Sequence, residues 1–253
     1  PQSRLGGHKH NALTAKANAL MEAALDEPLP LTEIADTLGT STRSLQQQFR
    51  LRLNTTPQDH YLQLRLAEAE LAAFHGHYAD VLAATDHVDT ADLGSELRIV
   101  TASVRCEAMA VTGNVVGALA LGRQVLAATA SVRLADRAVR EVKGRFLLLL
   151  LLSAKFKEAS AYLDETYGGL EPETRLGGMF EIGHGIVDLH AGHLDDALSR
   201  LQAGRWQLRA QDPEALTGLA TAACAYAAAL QGAEDTAGLL LGELGQPRPL
   251  AAW

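Results

Sequence analysis

Cysteine is nearly absent. Cys106 and Cys224 are the only two in 253 residues, and they form neither a Cys-x-x-Cys pair nor a Cys/His zinc spacing. That excludes a disulfide scaffold and a thiolate metal centre, and leaves two thiols that read as small core residues of a protein kept in a reducing cytoplasm. No long apolar run is present either. The stretch Phe146 to Leu152, flanked by Arg145 and Lys155, is far shorter than the roughly 20 residues that cross a bilayer, so it reads as a buried helix and no membrane contact is expected. An excess of positive charge is also lacking: 22 Lys and Arg stand against 30 Asp and Glu, a formal charge of −8. The chain as a whole is therefore not expected to bind nucleic acid indiscriminately. Finally, there is no Gly-rich phosphate loop, nucleophile elbow or kinase signature, so neither enzymatic activity nor a cofactor is expected.

What is present is an ordinary globular composition, 47% apolar, with uneven charge. Residues 1–72 hold seven Lys/Arg and eight Asp/Glu, and residues 73–253 hold fifteen and twenty-two, so most of the acidity lies in the second part. Within Thr37–Gln58 the charged residues are Arg43, Arg50 and Arg52, with no acid among them. A local basic patch of this kind serves DNA even on an acidic chain. The chain opens on Pro1 rather than Met, which points to a trimmed N-terminus or a piece of a longer protein.

Helical periodicity starts early. Residues 1–10 are polar and read as a loose tail; from Asn11 to about Glu27 the apolar positions Leu13, Ala17, Leu20, Met21 and Ala24 mark one helix face, which Pro28 and Pro30 then stop. A second helix is predicted after Thr32 as N-cap, with Ile34, Ala35 and Leu38 inward and Gly39 as the turn. A third starts at Ser41, turns Leu45, Phe49 and Leu53 inward, and ends at Asn54. Thr56-Pro57-Gln58-Asp59 supplies a capping hydroxyl, a proline at the first helical position and a carboxylate three residues on, opening a fourth helix. With Leu45 and Phe49 buried, Arg43, Gln46, Gln47 and Arg50 fall at i, i+3, i+4 and i+7 on the opposite face. Such a row suits a major groove, where Arg pairs with guanine and Gln with adenine; a solvated helix face is the plain alternative.

The order of residues carries more. Glu27-Pro28-Leu29-Pro30-Leu31, Ile34-Ala35, Leu38-Gly39, Ser41-Thr42-Arg43-Ser44-Leu45-Gln46, Phe49-Arg50, Thr55-Thr56-Pro57, Tyr61-Leu62 and Leu64-Arg65-Leu66 together resemble the first helix-turn-helix and linker helix of AraC/XylS-type regulators, over about residues 12–70. The resemblance implies DNA as the partner, with Arg43, Gln46 and Gln47 facing bases and Thr42, Arg50 and Thr56 holding phosphates. Since one reader meets one half-site and binds weakly alone, either a homodimer or a further module is implied. The second helix-turn-helix of that family, with its Gly-Phe turn and Phe-x-Arg-x-Phe signature, has no counterpart here.

Beyond residue 70 a short motif recurs: a small residue, a variable one, a bulky apolar one, and a small or apolar residue three further on. It begins at Gly76, Gly113, Ala154, Gly192 and, more weakly, Gly232, in steps of 37, 41, 38 and 40 residues. Such a period marks a stack of helical hairpins, in which each unit needs its neighbours to bury its apolar face. The array resembles the tetratricopeptide-like region of LuxR/MalT-type regulators. The expected fold class is all-α: a tail over 1–10, a helix-turn-helix domain over 11–69, and an α-solenoid of tetratricopeptide-like hairpins over 70–253. Its groove is expected to take a small-molecule, peptide or protein effector. The rival reading is an interaction scaffold that never meets DNA; it would bury the Arg43/Gln46/Gln47 face. His184 with Asp188, His190 and His193, and the pair His75 and His77, have the side chains of metal ligands, yet no metal is expected, because His-Glu-x-x-His is missing. Glu171-Pro172-Glu173 reads as a solvated helix start.

Overall fold

All five repeats of the motif start with one kind of turn. At Gly76, Gly113, Gly192 and Gly232 φ lies between 76° and 96°, and at Ala154 it is 52°, so every motif start takes the left-handed conformation. The following N–H in each case donates to the carbonyl five residues earlier, at 2.8–2.9 Å: His77 to Ala72, Asn114 to Met109, Lys155 to Leu150, His193 to Asp188 and Ala233 to Ala228. This is the Schellman end, in which one residue with positive φ stops a helix and satisfies its last carbonyls. The next helix starts at once, and the residue five past each turn start, Val81, Ala118, Ala159, Ala197 or Ala237, is buried where the two helices meet.

These turns join helices in a computed structural model that describes residues 3–25, 27–86, 93–167, 175–208 and 216–244. Among the described residues there are thirteen helices and no strand. The first three, α1 (Ser3–Ala23), α2 (Leu31–Thr37) and α3 (Thr42–Leu53), precede the long α4 (Pro57–Phe74). Five hairpins follow: α4 with α5 (Tyr78–Ala84), α6 (Glu96–Val111) with α7 (Val115–Ala128), α8 (Asp136–Leu152) with α9 (Phe156–Tyr167), α10 (Arg175–Ala191) with α11 (Leu194–Leu208), and α12 (Leu216–Leu230) with α13 (Glu234–Glu243). The first helices of successive hairpins pack on one another, α4 on α6, α6 on α8, α8 on α10 and α10 on α12, while each second helix packs on the first helix of the next pair. The first helices therefore form the inner row of the stack, in contact with one another from α4 to α12.

Two expectations about the N-terminal part are corrected. The expected tail is helical from Ser3, and the same helix ends at Ala23 rather than near Glu27. Nothing between Ser3 and Asn11 forbids a helix, since Gly6 and Gly7 only weaken one by about 1 kcal/mol each. The helix α2 starts at Leu31 with Pro30 in the cap position and no side-chain cap, so Thr32 lies inside it; the fixed φ of a proline sets that start where a hydroxyl was expected to.

α4 belongs to two cores. Its N-terminal half brings Tyr61 and Leu64 to the cluster of Ala17, Met21, Ile34, Leu45 and Phe49, and its C-terminal half brings Ala69 and Ala72 to Tyr78, Val81, Val104 and Ala108. Residues 69 and 70, where the two expected domains meet, lie within this one helix. Further along, Phe146 to Leu150 are buried and Leu151 and Leu152 half-buried, so the apolar run fills the middle of the array as expected. Cys106 and Cys224 are free and buried, and burial pushes the Cys106 thiol up to about 12. The last hairpin presents an open face: Leu241 is 56% exposed, whereas Leu201 and Leu163, each also nine residues past its own turn start, are fully buried.

Candidate nucleic-acid interface

Local signals place α3 tightly. The Ser41 hydroxyl accepts a hydrogen bond from the Ser44 N–H at 3.2 Å, and Asn54 closes the helix at φ 53° in the left-handed region. Ahead of α3, Gly39 takes φ 62°, and the Thr40 N–H donates to the Ala35 carbonyl at 2.9 Å. A helix, a Schellman turn and a capped second helix thus follow within Leu31–Leu53. α3 packs on α1, α2 and α4, with Leu45, Gln48 and Phe49 buried.

The opposite side is open. Arg43, Gln46, Gln47 and Arg50 are all exposed, and Thr42 is half-buried at the start of the helix. Among the described residues neither Arg43 nor Arg50 is held by an ion pair. Leu53, expected inward, is 45% exposed. Four-residue steps overshoot the helical turn, so eight residues past Leu45 the side chain has swung by about 80°. The inner face follows Gln48 instead, an assignment the sequence reading missed although Gln48 sits three residues from Leu45.

α4 starts as its residues require. The Asp59 N–H donates to the Thr56 hydroxyl oxygen at 3.0 Å, and the Thr56 hydroxyl donates to the Asp59 carboxylate at 2.8 Å. Thr56 therefore serves its own helix, and a phosphate arriving there meets the charge of Asp59 as well as the first amides of α4. From α4, the Tyr61 hydroxyl donates to the Ala24 carbonyl at 2.5 Å and accepts from the Leu29 N–H at 3.3 Å, so it fixes the connection between α1 and α2. His60 meets Asn18 at 2.6 Å and the edge of Phe49, with ring centres 5.4 Å apart. Burial lowers the pKa of His60, with Glu22 acting the other way. One turn further, Arg65 is buried and donates to the Ala83 carbonyl at 3.0 Å and to Asp86 at 3.1 Å. It ties α4 to α5. Its phase, four residues after Tyr61 and four before Ala69, was the available signal for an inward arginine.

The histidines do other work. His190 stacks on Phe156 at 4.0 Å. Asp188 lies 3.9 Å from His193 and 3.1 Å from Arg200, and His75 meets the Leu71 carbonyl at 2.9 Å. No three potential ligands gather as a metal site among the described residues. Glu171, Pro172 and Glu173 lie outside the described residues. No helix of the described residues is long and apolar enough to cross a membrane.

Part of the chain is similar to known regulators. It is 44% identical over 68 residues to the HTH-type transcriptional regulator ArgR of Pseudomonas aeruginosa strain PAO1, a match covering 27% of this chain and 20% of that protein. It is 45% identical over 51 residues to the HTH-type transcriptional regulator GbdR of Pseudomonas aeruginosa strain UCBPP-PA14, covering 20% of this chain and 14% of that protein. The chain thus spans a fifth or less of the length of these relatives. No family model matches it, and no solved structure does.

Proposed function

We propose that the chain is a sequence-specific DNA-binding transcription regulator of AraC-like type, whose tetratricopeptide-like array receives an effector or partner. One observation carries the reading: Arg43, Gln46, Gln47 and Arg50 line the open face of α3 while Leu45 and Phe49 anchor its back. A helix used only to cap a scaffold would bury that row. The similarity of a segment to two HTH-type regulators supports the same reading. In it, Arg43, Gln46 and Gln47 read base edges, and Thr42, Arg50 and the Thr56 end of α4 face phosphates. Two copies act together, one per half-site. An effector held by the inner row of helices would favour one spacing of the readers over another.

The test is a sequence-selected binding assay on the intact chain at two salt concentrations. Arg43→Ala or Gln47→Ala should relax preference at one or two base positions and cost about 1–3 kcal/mol against the best site. Arg50→Ala should weaken all sequences alike and flatten the salt dependence by about one phosphate contact. Phe49→Ala is the folding control: it should lose structure and binding together, at about 3–5 kcal/mol. No sequence preference at either salt, or an Arg43→Ala protein that selects as the wild type does, would return the chain to the scaffold reading.

A further inference from the structure

A cleft of about 250 Å³ opens where the reader meets the array. Its walls come from four helices: Met21 of α1, Leu29 just ahead of α2, Leu31 and Ile34 of α2, and Leu62 of α4 form an apolar side, while Arg65 of α4 and Arg98 of α6 supply the charge. Among the described residues that line it there is no Asp or Glu. Arg65 is 3% exposed, and although its Nη2 reaches Ala83 and Asp86, its Nε is buried without a hydrogen-bond partner. Buried donors are normally satisfied, so an orphaned one beside a cleft points to an acceptor that arrives from outside.

We infer that this cleft binds a small apolar carboxylate, its anionic head at Arg65 and Arg98 and its aliphatic or aromatic tail against Met21, Leu31, Ile34 and Leu62. A planar carboxylate matches the fork of a guanidinium better than a rounder anion does, and of the polar groups beside the tail the Tyr61 hydroxyl is already bonded to Ala24 and Leu29 while Gln58 is exposed to solvent. At about 30 Å³ per water the space holds roughly eight waters, and covalently bonded atoms, which pack closer than separate waters, let a molecule of roughly ten non-hydrogen atoms fit there. The site lies on the reader side of the array rather than in the groove of the inner helix row. An occupant there touches α1, α2, α4 and α6 at once and favours the arrangement of reader and second hairpin in which all four walls are in place. The binding claim stands whether or not α3 meets DNA, because its readout is the ligand alone.

The experiment uses the intact chain and 3-phenylpropionate as probe, read by titration calorimetry and by thermal unfolding. 3-Phenylpropanamide keeps the tail and removes the charge; acetate keeps the charge and removes the tail. The expected result is saturable binding of phenylpropionate with a rise in melting temperature, and at least about tenfold weaker binding of both controls. Arg65→Gln also cuts the tie to α5 and serves only if it folds. The deciding variants are therefore Arg98→Gln, expected to weaken the carboxylate about tenfold and leave the amide unchanged, and Leu31→Trp, expected to fill the cleft and abolish binding. Absence of saturable binding up to the solubility of the probe, equal binding of acid and amide, or wild-type affinity in Leu31→Trp would each overturn the assignment.

Discussion

Ala154 stands alone among the turns of the array, and exchanging it for glycine should stabilise the protein. Its φ of 52° places a Cβ where the other four turn starts, Gly76, Gly113, Gly192 and Gly232, carry none. The left-handed conformation costs an L-residue about 1–2 kcal/mol. Glycine removes that cost and gives back about 0.5–1 kcal/mol through the extra freedom of the unfolded chain. Ala154→Gly should therefore gain about 0.5–1 kcal/mol. The reverse exchange isolates the same quantity, because a Cβ built on Gly113 or Gly192 meets no atom within 4 Å. Gly192→Ala should lose about 0.5–1 kcal/mol from backbone conformation alone. Urea unfolding followed by circular dichroism reads both changes, and a stacked array unfolds piecewise. Hydrogen exchange should then be followed at the amides that close each turn, those of Lys155 and His193. Slower exchange at Lys155 in Ala154→Gly and faster exchange at His193 in Gly192→Ala are expected. A destabilised Ala154→Gly protein, or a neutral Gly192→Ala, would refute the claim that these turns are held by their backbone conformation.

Two further outcomes follow from packing and from charge. Gly204 lets α11 lie against α10 so closely that an added Cβ would stand 2.8 Å from the Gly178 carbonyl oxygen and 2.6 Å from Ile182, so Gly204→Ala should cost about 1–3 kcal/mol by forcing two backbones apart, read as a lower urea midpoint. His60 is held by burial below its ordinary value of 6.5, so the unfolded chain takes up the proton first as the pH drops. The stability that a neutral His60 contributes is present above that value and is lost as the pH falls through it toward the lower folded value. Urea midpoints measured from about pH 7.5 down to pH 5 should fall in the wild type and fall less in His60→Gln; parallel curves would show that this site does not carry the effect.

Much of the architecture could be read from residue types because backbone conformation imposes them locally. A glycine before a fresh helix, a serine three residues ahead of an amide, or Thr-Pro at a helix start each act within one turn of chain, and Gly113, Ser41 and Thr56 all sit where those rules put them. The open row of α3 followed from Leu45 and Phe49 by the same local geometry. What escaped were polar side chains on inward faces. Gln48 is buried, polar as it is, because α3 rotates it toward its neighbours, and Arg65 turns inward because Ala83 and Asp86 await it eighteen and twenty-one residues on. The true start of α2 at Leu31 was hidden by two equally good openings, a proline and a threonine two residues apart.

The helix that serves two cores makes the chain unequal in its tolerance of length changes. At a Schellman turn an extra residue enlarges a loop, at little cost. Inside α4, between Tyr61 of the first cluster and Ala69 of the second, one inserted residue turns everything before it by about 100° about the axis and lifts it by about 1.5 Å. The first three helices would then present the Arg and Gln row of α3 in a different direction with every local contact among α1, α2 and α3 intact. Seven inserted residues would bring the row back to within about 20° of its bearing, so natural or engineered relatives that keep this junction should differ in this stretch by sevens, or not at all.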